Sequence, residues 1–226
     1  MVLPEPFKTF SPVISSYDWV DLESGEGIVA YYAGGTIDST GTTYKLDNNL
    51  FQAYPQITRY VTTTSYVKAA DLDFDTGVLN MPRQIYGDML SEIPVVMSFD
   101  STAAYVSAYV VVILKRILSD GSTEEILNTT TSGVIARTNS PAHSAKKYFC
   151  FNSSITTPEN IARGEKIRIT IELWAKHENA GGGCGICFDP YNREIAATNS
   201  GGTLAEKLNG EANYTQAKFL IPFRVQ

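Results

Sequence analysis

From Lys166 to Ala175 the chain alternates without a break. Ile167, Ile169, Ile171 and Leu173 fall on one side, and Arg168, Thr170, Glu172 and Trp174 on the other. A period of two with one aliphatic side describes a strand half-buried over a core. The same reading marks strands over Gly27 to Ala33 (ending at Gly34-Gly35), Gln56 to Lys68, Ile93 to Phe99 and Lys147 to Ile155. Val78 to Tyr86 is a weaker strand, interrupted at Pro82. Ala104 to Leu118 is a long β-branched and aromatic run, followed by Ser-Asp-Gly-Ser-Thr and then by Glu124 to Asn128. Asp-Gly between two apolar runs predicts a hairpin, because glycine accepts the positive φ that the turn requires.

Thr156 to Lys166 (TTPENIARGEK) reads as a turn or a single helical turn closed by Gly164. Ala217 to Val225 sets Phe219, Ile221, Phe223 and Val225 on one side of a last strand. Pro222 lacks an N–H, which places that strand at an edge or at a bend. Between Pro190 and Thr215 lies a long polar connection with one helical turn over Thr203 to Asn209.

Eight or more strands with uneven connections predict an all-β fold, an antiparallel β-sandwich of two packed sheets. A jelly roll is the specific arrangement expected. An immunoglobulin-like sandwich is the runner-up, and its Cys…Trp…Cys spacing is absent. The 226 residues are read as a single domain over 1–226, its first 25 or so residues forming an extended arm.

The abundance of Tyr, Thr, Gly and Asn agrees with strands and turns. Net charge is −6 and the isoelectric point is near 5.0, which argues against a nucleic-acid partner. The longest apolar run, Ala103 to Leu114, is too short to span a bilayer as a helix, which takes about 20 residues, so no membrane is expected. The first ten residues, MVLPEPFKTF, hold no basic stretch followed by an apolar core. Synthesis in the cytoplasm is therefore expected.

The segment from His177 to Glu194, HENAGGGCGICFDPYNRE, looks most like chemistry. A zinc site needs about four converging ligands. If CGICF is a strand, Cys184, Ile186 and Phe188 share one face and Cys187 points the other way. Two thiols so placed do not chelate one ion. The redox reading fails because no amphipathic helix follows the Cys-x-x-Cys. The triple glycine lacks the Gly-Lys-Ser/Thr ending of a phosphate loop. Asp71, Asp73 and Asp75 resemble the opening of a calcium loop, but its position six is Thr76 and its position twelve Pro82. An edge strand with a wet acidic face fits better. His143 and His177 fall in loops, no Gly-x-Ser-x-Gly elbow exists, and nothing singles out a carboxylate pair. No catalytic residue, metal or cofactor is assigned, and the chain is not expected to be an enzyme.

One strand points to assembly. Ala104, Val106, Ala108, Val110 and Val112 share one face, while Tyr105, Ser107, Tyr109, Val111 and Ile113 share the other. A strand apolar on both faces is covered on both. The second cover is either a loop of the same chain or a neighbouring subunit, with Tyr105, Tyr109 and Val111 as the candidate interface.

The stretches LPEPF, GIVAYYAGGTIDSTGTTYKL, ITIELWAK, FDPYNR and IPFRV together resemble a loose group of small β-rich structural proteins of tailed phages and environmental viruses. The resemblance implies a virion component, such as a capsid decoration or minor capsid protein. It implies a homo-oligomer that also contacts other virion proteins such as the major capsid protein. It makes Trp174, Asp189, Pro190, Asn192, Arg193, Pro222, Phe223 and Arg224 scaffold residues, with Asp189 and Arg193 pairing across a turn. The alternative is a carbohydrate-binding or receptor-attachment β-sandwich of a tail or fibre, using exposed Tyr and Trp against sugars.

Overall fold

The computed structural model describes residues 15–16, 26–38, 41–51, 56–61, 63–99, 105–137, 144–178, 182–191, 198–199, 202–203 and 215–224. Strands are the only regular elements among them. In chain order these are β1 (Ser15–Ser16), β2 (Glu26–Asp38), β3 (Gly41–Asp47), β4 (Gln56–Val61), β5 (Val67–Asp75), β6 (Arg83–Phe99), β7 (Tyr105–Ile117) and β8 (Glu124–Thr131). There follow β9 (Ile135–Arg137), β10 (Ser144–Ile161), β11 (Lys166–Glu178), β12 (Gly182–Cys187), β13 (Thr198–Asn199), β14 (Gly202–Thr203) and β15 (Lys218–Arg224).

Two antiparallel layers carry the fold. One runs β10-β6-β15-β2 and the other β5-β11-β7-β8. The chain changes layer from β5 to β6 to β7, and again from β8 to β10 to β11. This wraps the two sheets as a jelly roll, the expected arrangement. Within the first layer β6 is shared. Its whole length pairs with β10, its first half with β15 and its last residues with β12. β3 continues the layer beyond β2 and meets β5 through one parallel bridge, Lys45 opposite Asp75.

The core lies between the layers. Ile167, Ile169, Ile171 and Leu173 of β11 are fully buried there, as are Val110 and Leu114 of β7. From β6 and β15 come Ile93, Val95, Phe219 and Ile221. Each such side chain contributes about 1.5–3 kcal/mol by leaving water. The β7–β8 hairpin is as expected. Gly121 has φ 74°, and its N–H donates to Leu118 O at 2.9 Å.

Several boundaries differ from the sequence reading. β2 does not stop at Gly34-Gly35 but runs on to Asp38, paired with β3. Gln56 to Lys68 is two strands, because β4 ends at Val61 and β5 begins at Val67. Val78 to Pro82 is a loop, and the strand starting at Arg83 runs unbroken through Phe99. Thr156 to Ile161 is strand rather than turn, the tail of β10 beyond a register shift between Ile155 and Glu159. Pro158 fits there because β10 has a backbone ladder only with β6 among the described strands, so no second ladder asks for the missing N–H. β15 lies inside the layer, between β6 and β2, not at an edge. Pro222 is accommodated by a register shift against β6, opposite Gly87 with φ 110°. Of the proposed helical turn, Thr203 belongs to β14 and residues 204–209 lie outside the described residues.

Candidate functional site

The outer face of the second layer holds the functional candidate. Register sets Lys68, Trp174 and Tyr109 in one row across β5, β11 and β7. Asp71, Glu172 and Val111 form the next row. The Trp174 and Tyr109 rings are parallel within 2°, their centroids 6.1 Å apart. Tyr66, from the segment leading into β5, meets Tyr109 edge-on at 5.1 Å and donates its hydroxyl to Ser107 Oγ at 3.1 Å. The tyrosine face is therefore covered by its own chain at one end. Tyr109, Val111 and Ile113 remain half-buried. Tyr105 lies in β7, and its side chain is outside the described residues.

Charges frame this band. Lys68 Nζ sits 5.9 Å from the Trp174 ring and Lys176 Nζ 5.4 Å from the Tyr66 ring. Lys68 donates to Asp71 at 2.8 Å and to Glu172 at 2.6 Å, and Trp174 Nε1 donates to the other Glu172 oxygen at 2.9 Å. The Asp71 and Glu172 bonds push the lysine pKa up. Burial opposes ionisation of Glu172, but the bonds from Lys68 and Trp174 outweigh it and hold its carboxyl below the usual range.

Further along the face the chemistry becomes ionic. Arg168 grips Asp75 with two bonds, Nε to Oδ1 at 2.5 Å and Nη2 to Oδ2 at 2.7 Å. It also reaches Asp73 at 3.3 Å and pairs with Glu124. Lys115 bridges to Glu124 at 3.0 Å. The acids of DLDFDTG are thus committed to Lys68, Arg168 and Thr170 rather than offered to a cation. Among the described residues no cluster of His, Cys, Asp and Glu is arranged to hold a metal.

The CGIC segment is strand β12. Cys184, Ile186 and Phe188 join the core, while Cys187 faces the other way against Val96. Burial pushes the Cys184 thiol up to about 12, so it is a core side chain and not a nucleophile. His177 is not in a loop. It is buried in β11, its N–H donating to Thr63 O at 2.7 Å. His143 lies outside the described residues.

The FDPYNR turn is anchored from within. Phe188 meets Tyr44 and Phe74 edge-on. Asp189 is buried, donates its N–H to Thr215 O at 2.8 Å and accepts from Tyr191 N at 3.2 Å. The carbonyl of the buried Pro190 accepts from the Gln216 side chain. The expected Asp189–Arg193 pair involves Arg193, which with Asn192 lies outside the described residues. In IPFR, Phe223 packs on Tyr31 at 6.3 Å and Arg224 lies 4.1 Å over the Tyr86 ring. Trp174 is half-buried on the outer face, far from this cluster in the sheet. Tyr66, Lys68, Glu172 and Lys176 were not foreseen as site residues. Their signal lay only in cross-strand register.

No family model and no curated protein matches this chain. Among solved structures it is similar to an α-amino acid ester hydrolase, with TM-score 0.55 and 10% identity over 86% of this chain and 36% of that one. An aminopeptidase from a marine sediment Thaumarchaeota archaeon gives TM-score 0.49 and 9% identity, over 87% of this chain and 37% of that one. The structure of infectious bursal disease virus, Gt strain, gives TM-score 0.31 and 8% identity over 84% and 41%, too low to carry an argument. The chain spans little more than a third of the hydrolase and the aminopeptidase. The expectation that the chain is not an enzyme is overturned here. The same fold occurs within a hydrolase, and activity resides in sites grafted on folds, so missing sequence motifs do not exclude it.

Proposed function

We propose that this jelly roll is a virus structural protein that acts through protein–protein contacts in the particle, binding copies of itself and the shell beneath. The observation that carries this reading is the outer face of β5-β11-β7. An aromatic centre of Tyr66, Tyr109 and Trp174 is rimmed by Lys68, Lys176, Asp71 and Glu172. Apolar, aromatic centres with charged rims are how specific interfaces are built. The resemblance of FDPYNR and IPFRV to virion proteins agrees with it.

The test is solution mass by light scattering over a concentration series. A discrete oligomer is expected, dissociating on Val111→Arg, because a long charged side chain replaces a small apolar one in the packed centre of the contact and must be taken out of water there. A monomer at every concentration, together with absence of the chain from purified particles, would sink the proposal. A second reading rests on the fold likeness to the ester hydrolase: the chain is a β-sandwich module of an ester-cleaving enzyme. Turnover of an α-amino acid ester by the purified chain would favour it over assembly.

A further inference from the structure

The loop from Thr76 to Pro82 joins β5 to β6 at the end of the sandwich remote from the aromatic band, roughly 30 Å along β5 from Tyr66. It is pinned to the start of β11. Thr76 N donates to Ile167 O and Leu79 N to Glu165 O, both at 2.9 Å, and Gly164 N donates to Leu79 O at 2.9 Å. Together with the end of β3 it walls a cleft of about 360 Å³.

The polar groups in this cleft are left with bonding capacity. The half-buried Arg83 guanidinium lies 5.0 Å over the Phe223 ring and makes no ion pair or hydrogen bond among the described residues. Asp47 spends Oδ1 on the Asn49 backbone N–H at 3.0 Å and on the Asn49 side chain at 3.5 Å. Its Oδ2 takes no hydrogen bond among the described residues. Asn48 accepts from Asn49 through its side-chain oxygen, leaving its amide donors for the cleft. Asn80 is exposed, and its carboxamide makes no hydrogen bond among the described residues. The rim is apolar, with Val78 52% and Met81 71% exposed.

We propose that this cleft binds an acidic monosaccharide unit. A guanidinium with one face on an aromatic ring presents its edge as a fork, which matches a carboxylate. Asp47 accepts from hydroxyls, and the Asn48 and Asn80 carboxamides donate and accept around the ring. Val78 and Met81 lie against the sugar's C–H face. The volume sits at the small end of ligand pockets, about 300–1,000 Å³, which suits one or two rings. A zwitterionic amino acid would satisfy Arg83 and Asp47 but leave both carboxamides idle. A phosphate chain would bring several negative charges to a cleft whose lining holds one cation, Arg83, beside Asp47. The site stands apart from the aromatic band, so it holds or fails independently of the assembly reading.

The test is amide chemical-shift titration of the full chain with D-glucuronate, D-glucose and acetate. Glucuronate is expected to shift Asn48, Gly77 and Asn80, to bind about tenfold more tightly than glucose, the size of one charge-assisted bond, and to bind more tightly than acetate, which lacks the ring contacts. Arg83→Gln should remove the preference over glucose. Asn80→Ala, at an exposed unbonded side chain, should weaken glucuronate several-fold with the melting temperature unchanged. No shift up to 20 mM glucuronate (a concentration of order those reached by weak sugar sites), shifts confined to other surfaces, or equal binding of acetate and glucuronate would each overturn the proposal.

Discussion

Phe188, just past the end of β12, sits where aromatic rings of β3 and β5 converge. Its ring centroid is 5.7 Å from Tyr44 and 5.6 Å from Phe74, which are themselves 5.4 Å apart. It is 1% exposed. Phe188→Ala removes the ring and leaves a space walled by β2, β3 and β5, whose backbones are tied into ladders and cannot close over it. Core Phe→Ala changes cost about 3–5 kcal/mol. Two lost edge-on contacts, about 0.5–1.5 kcal/mol each, put this one in the upper half. Against a domain stability of about 5–15 kcal/mol, the loss is a large part of the whole. Urea unfolding followed by tryptophan fluorescence should show a lower midpoint with an unchanged slope. A loss under about 1.5 kcal/mol, below the range for core Phe→Ala, would refute the packing argument. Gly35 supplies a coupled check. A Cβ there would lie 3.1 Å from Phe188 Cε2 and 3.2 Å from Tyr44 Cδ1, so Gly35→Ala should cost about 1–3 kcal/mol by overpacking. Combined with Phe188→Leu, which withdraws the nearest atom, it should cost less than the sum. Strict additivity would show that the glycine is not there for the ring.

Thiol labelling at pH 8 should modify the exposed Cys150 quickly and leave Cys184 and Cys187 untouched until denaturant is added, because both are buried; fast labelling of Cys184 would refute its placement in the core. Ser91 is fully buried, and its hydroxyl has no hydrogen-bond partner among the described residues; Ser91→Ala should stabilise the protein by about 1 kcal/mol, read as a raised urea midpoint, and a loss of that size would refute it. Asp120 caps its own hairpin turn, accepting from Thr123 Oγ1 at 2.7 Å and from the Thr123 and Ser122 N–H groups at 2.9 Å. These bonds lower its carboxyl to about 2. The contribution of this turn is therefore complete above the ordinary carboxylate value and fades as pH falls from there through about 2. A carbon-detected titration of Asp120 with a midpoint near 4, the ordinary range, would refute the capping.

Local order was legible where a strand obeys its own face. β11 declares itself through Ile167, Ile169, Ile171 and Leu173, and the β7–β8 turn through Asp120-Gly121. The jelly roll itself was expected from the number and spacing of strands. What stayed hidden depends on partners. Pro222 argued for an edge, yet β15 is interior, because the ladder slips beside Gly87 and spares the missing N–H. Thr156 to Lys166 read as a turn closed by Gly164, yet β10 continues through Pro158 to Ile161, paired again with β6 from Glu159. The aromatic band was half visible as Tyr109 and Val111. Tyr66 and Trp174 joined it only through cross-strand register, which local periodicity does not encode. The reactive look of CGIC dissolved through alternation alone, one thiol to each face of β12.

The shared strand β6 has a consequence for how this sequence can change. It meters three neighbours at once: β10 along its whole length, β15 and then β12 along the other side. Because side chains alternate with a period of two, one added residue would invert every contact downstream of it, whereas two would restore the facing. Length changes in Arg83–Phe99 should therefore obey parity, with odd insertions lethal to folding and even ones merely damaging. The exception is the neighbourhood of Gly87, where the register against β15 already slips between Leu220 and Phe223 and an odd step has somewhere to go.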